Sequence, residues 1–130
     1  MVEARANGNE AAAIGSLRSI GSSQTLFRKA DKEGDALLDY GTLRELGESS
    51  LVDPVLAAGI KQGFSFEVAP SASEPLTKWM AVANPMVPGS TGNRYFVTNH
   101  EGVIFYTSEG PPLELDPACK IPERCHPVGN

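Results

Sequence analysis

The proline-free run from Glu3 to Lys29 sets the scale of anything this chain can build. Alanine recurs at 4, 6, 11, 12 and 13, and Ile14, Leu17, Ile20, Gln24 and Phe27 fall at helical spacing. Glu3 and Glu10 stand toward the start, while Arg28 and Lys29 close the end, an order that suits the helix dipole. Gly34, in Asp31-Lys32-Glu33-Gly34-Asp35, is the stop signal. Such a helix is roughly 40 Å long. The chain has 130 residues, and a compact domain of that size has a radius of gyration near ~14 Å. The helix is therefore about as long as the molecule is wide. Its second half carries large apolar residues and should pack on a core. The first half, Ala4 to Ser16, offers mostly Ala, Gly, Asn and Ser, so that end is expected to project.

Beyond the helix the pattern changes twice. Residues 31–62 form an irregular connecting region with apolar anchors such as Leu37, Leu43, Leu46, Leu51 and Leu56, and short helical turns are expected around Thr42–Leu46 and Pro54–Ala58. From Gly63 the period becomes two. Phe64, Phe66 and Val68 alternate with polar residues up to Pro70, as in a half-buried strand. Further strands are expected at Leu76–Ala83, Arg94–Asn99 and Val103–Thr107, the last two joined by a tight hairpin in which Gly102 takes the positive φ. The expected fold is a single α+β domain. It has a long helix (3–30), the connecting region (31–62), an antiparallel meander of about four strands (63–107) and a tail (108–130). Ile14, Leu17, Phe27, Phe64, Phe66 and Val68 are the expected core anchors.

The chemistry of the chain is sparse. A net charge of −5 does not suit non-specific binding to nucleic acid or an anionic membrane. No stretch approaches the length needed to span a bilayer, about 20 apolar residues. The histidines, His100 in the hairpin and His126 in the tail, read as solvated polar residues. Asp31–Asp35 lacks calcium-loop spacing, and Gly89-Ser90-Thr91-Gly92 precedes a strand and so is no phosphate cradle. No nucleophile, base and orienting group can be assembled, so neither an enzyme nor a cofactor or metal site is expected. Cys119 and Cys125 lie in a proline-rich tail with little regular structure to order it. A disulfide between them would stabilise by about 2 kcal/mol, and it implies an oxidising compartment reached by export.

Three stretches, in order, resemble one family. Arg5-Ala6-Asn7-Gly8-Asn9-Glu10-Ala11-Ala12-Ala13-Ile14-Gly15-Ser16-Leu17-Arg18-Ser19-Ile20 is similar to the segment that follows the membrane-embedded half of the N-terminal helix in type IV pilins and type II secretion pseudopilins. Leu51-Val52-Asp53-Pro54-Val55-Leu56-Ala57, with Gly59 to Phe66, resembles the stretch leading into that family's first strand. Pro88-Gly89-Ser90-Thr91-Gly92-Asn93-Arg94-Tyr95-Phe96-Val97-Thr98, followed by Gly102-Val103-Ile104, resembles its end. The resemblance implies a preceding hydrophobic half-helix that anchors the subunit in the inner membrane and later forms the filament core. It also implies a leader removed by a dedicated peptidase. The implied partners are other copies of the chain and the pilus assembly machinery, with the head in the periplasm and then on the cell surface. The expected subunit-packing face of the helix is Ala4, Gly8, Ala11, Ala12 and Gly15, with Pro85–Gly92 and Asp116–Asn130 as contacts or outer surface. A pseudopilin role and a periplasmic peptide- or glycan-binding module are the alternative expectations.

Overall fold

The chain adopts a mixed α+β fold in a computed structural model, which describes residues 2–30 and 39–128, with side chains from residue 5 to 28 in the first stretch. Helix α1 spans Val2–Ala30, and two short helices follow, α2 at Leu43–Glu48 and α3 at Pro54–Ala57. Both short helices start at a built cap. Thr42 and Glu45 form a reciprocal capping box at α2, and the Asp53 carboxylate accepts from the Leu56 N–H at α3, with Pro54 opening the turn. The proposed stop at Gly34 and the anchor Leu37 lie outside the described residues.

Six antiparallel strands follow in an unbroken meander: β1 Ile60–Lys61, β2 Phe64–Pro70, β3 Trp79–Pro85, β4 Tyr95–Asn99, β5 Ile104–Thr107 and β6 His126–Pro127. The expected meander of about four strands is corrected by the two outermost strands, β1 and β6, each only two residues long and too short to show a period. The strand expected from Leu76 begins instead at Trp79, because Thr77 and Lys78 donate their N–H groups to the Glu74 carbonyl and stay in a turn. At the β4–β5 hairpin, Gly102 takes φ 85° as expected, and its N–H closes on the Asn99 carbonyl at 2.9 Å.

The sheet has two covered faces. On one, α1 buries Leu17, Ile20 and Phe27 against Phe64, Phe66, Val68, Trp79, Ala81, Ala83 and Phe96. Ile14 packs at the margin of this cluster, half-buried. Gln24 sits fully buried within the apolar stripe because its amide pairs with both backbone groups of Gly41, at 2.7 and 2.8 Å. On the other face, Met80, Val82, Tyr95 and Val97 pack under Leu113, Cys119 and Cys125 of the tail. Every residue of β3 is consequently buried. The tail is a layer of the fold and not the loosely held outer surface that its composition predicts. The rims of the sheet are occupied by β1 and β6, with Pro70 at the end of β2 and Pro127 in β6 lacking an N–H to offer.

Candidate subunit-packing surface

The two sides of α1 differ in chemistry from its first described turn. Ala6, Glu10, Ala13, Ser16 and Leu17 are buried, whereas Gly8, Ala11 and Gly15 are exposed and Ala12 is half-buried. Ala4 lies in α1, but its side chain falls outside the described residues. Small residues are therefore used twice. The inner ones let the helix approach the loop between β3 and β4. The outer ones leave a smooth strip: a Cβ added at Gly8 or Gly15 would meet nothing within 4 Å.

The expectation that Ala4–Ser16 projects from the head is corrected here. That half of α1 is docked, and the physical reason is a polar clamp that periodicity cannot reveal. The Glu10 carboxylate, 4% exposed, accepts from the Asn93 N–H at 2.5 Å, the Arg94 N–H at 3.1 Å and the Arg94 Nε at 2.8 Å. The Arg94 guanidinium lies over the rings of Phe96 and Tyr106, with Cζ 5.0 and 5.2 Å from their centroids. One residue earlier, the Asn9 Nδ2 donates to the Thr91 carbonyl at 3.0 Å. Gly63, at φ 80°, closes the junction. A Cβ there would lie 2.8 Å from both the Asn9 Nδ2 and the Thr91 Cβ. The loop Pro85–Gly92, expected as a subunit contact or outer surface, presents Met86 and Val87 outward and holds α1 through Thr91.

The tail is fastened by borrowed backbone pairing. Asn84, buried at the end of β3, donates its amide to the Leu113 carbonyl at 2.9 Å and accepts the Leu113 N–H at 2.8 Å. Asn99 donates to the Cys119 carbonyl at 2.9 Å. The Asp116 carboxylate collects the N–H groups of Ala118 and Lys120 and shapes the turn in which Cys119 takes φ 60°.

The predicted disulfide is not formed: Cys119 and Cys125 are separate, buried thiols. The tail is ordered without a covalent loop, because each sulfur serves as a small apolar side chain in the second core cluster. Burial pushes both thiol pKa values up. At Cys119 the Asp116 carboxylate adds to the rise while Lys78 opposes it, and at Cys125 Arg124 opposes it. A raised folded value means stability that is complete below the ordinary thiol value and is lost as pH climbs through the higher folded one. Stability should therefore fall above about pH 8.5. At neutral pH a thiol reagent should label the native protein slowly and the denatured protein at once. Fast labelling of both thiols in the native state would contradict their burial.

His100 also departs from its expected solvated role. It is half-buried, and its Nδ1 is the one buried side-chain nitrogen or oxygen without a partner among the described residues. Among those residues no three His, Cys, Asp or Glu side chains gather as a metal site, and no helix is long and apolar enough to cross a membrane. No family model, curated protein or solved structure matches the chain.

Proposed function

We propose that this chain is the head of a structural subunit of a type IV pilus or a related pilus-like filament, acting by polymerisation and display and not by catalysis. One observation carries the reading. The three stretches that resemble pilins meet at a single junction, where Asn9 and Glu10 of the first hold Thr91, Asn93 and Arg94 of the third across Gly63 of the second. That junction fixes α1 so that Gly8, Ala11 and Gly15 face away from the sheet. Small residues on an outward helical face allow close approach of neighbouring helices, as side-by-side packing of many copies requires. In this reading the partners are other copies and the assembly machinery. The protein is anchored in the inner membrane by a preceding segment, of about 20 apolar residues, and is then carried to the cell surface.

The test separates folding from assembly. Gly15→Leu should raise the stability of the head, by about 0.5–1 kcal/mol, since a glycine in a helix interior is replaced where there is space. In the producing bacterium the same substitution should abolish sheared surface filaments. Normal filament yield from cells carrying Gly15→Leu would refute the packing face. Ordinary cytoplasmic sequence immediately upstream would refute the filament reading as a whole.

A further inference from the structure

We propose that the cleft between α1 and the β4–β5 hairpin is a binding site for a small polyhydroxy carboxylate, of the size and chemistry of a single acidic sugar. The inference is independent of the filament reading. The cleft has a volume of 460 Å³, within the range of small-molecule sites, roughly 300–1,000 Å³. One wall is α1, with Arg18, Ser22 and Thr25; the other is the hairpin, with Thr98 and His100; the indole of Trp79 lies at its base.

Three observations give it a ligand chemistry. Gly21 holds the cleft open: a Cβ at this position would meet only the edge of the Trp79 ring, at 3.8 Å, so any longer side chain would grow into the space. Arg18 is exposed and makes no hydrogen bond or ion pair among the described residues. Among the described residues no carboxylate lines the cleft, so an anionic group is the complement their charged lining lacks. His100 lines the same wall as a half-buried ring, but its unpartnered Nδ1 is shut off from solvent and is not itself a contact for a ligand in the cleft. The Thr25 and Thr98 hydroxyls donate to the Gly21 and Val103 carbonyls and keep only their oxygens as acceptors, so with Ser22 the lining can chiefly accept from a hydroxylated ring while Arg18 takes its carboxylate.

The probe is sodium glucuronate, titrated into isotope-labelled protein and followed by NMR, with glucose and sodium chloride as controls. Saturable shifts are expected at the Trp79 indole, His100 and Arg18, with a Kd of about 1–10 mM. Arg18→Gln, on the exposed side of the helix, should weaken binding about tenfold. Gly21→Leu should fill the cleft and remove the response. No saturable shift up to about 50 mM would overturn the proposal. So would an equal response to glucose or to chloride, or glucuronate binding unchanged in Arg18→Gln.

Discussion

Glu10→Ala should destabilise the head by about 3 kcal/mol, at the lower end for breaking a buried ion pair because Arg94 keeps 32% of its side chain exposed. The loss has two sources. The backbone N–H groups of Asn93 and Arg94 lose their shared acceptor, and the guanidinium stays pinned over Phe96 and Tyr106 with its counter-charge gone. For a domain of this size that corresponds to a fall in Tm of about 10 °C. Glu10→Gln preserves the shape and one acceptor and should cost roughly half as much. Arg94→Met in the Glu10→Ala background should recover part of the loss, since it removes the stranded charge. Thermal and urea unfolding of the four proteins checks the series. A change below about 1 kcal/mol for Glu10→Ala would mean that α1 holds its place through apolar packing alone.

Asn84→Ala should have an effect of similar size but a different range. The side chain stands in for a strand neighbour, pairing with both the N–H and the carbonyl of Leu113 in a buried setting. Truncation leaves two backbone groups unpaired under the sheet, at about 1–3 kcal/mol each. The tail can respond by lifting away, so the damage should stay local. Native-state thiol labelling reads this directly, because Cys119 and Cys125 lie in the layer that Leu113 anchors. Labelling should quicken by about 100-fold, the kinetic image of a local opening made roughly 3 kcal/mol easier. The amides of α1 should keep their exchange protection. If the thiols remain as slow as in the unaltered protein, Asn84 is not what fastens the tail.

These two positions also show where sequence reading stops. The apolar half of α1, the short helices and the starts of β2 and β4 were legible because period, cap and turn chemistry are local. Leu17, Phe27, Phe64, Phe66 and Val68 are buried as expected. Glu10 was legible only as a charge suited to a helix start, because its partner lies 84 residues further on. The tail contributes Leu113, Cys119 and Cys125 at irregular spacing, and an irregular backbone has no period to detect. The hint lay elsewhere: Trp79 to Ala83 is apolar at every position, where a strand with one wet face would alternate. The outer strip of Gly8, Ala11 and Gly15 was legible in composition, whereas the opposite side of the same turns being locked down was not.

The rims of the sheet have a bearing on how copies of this protein can meet. An open border strand is an invitation to zip onto any neighbour, and polymers grown that way are stiff and hard to take apart. Here the border strands β1 and β6 are two residues long, Pro127 sits in β6, and the stretch of β2 that runs on past β1 is closed by Pro70, so little backbone is left for a newcomer to grip. Crowding many heads together should therefore leave each one separable, and reversible growth is compatible with this molecule in a way that cross-β growth is not.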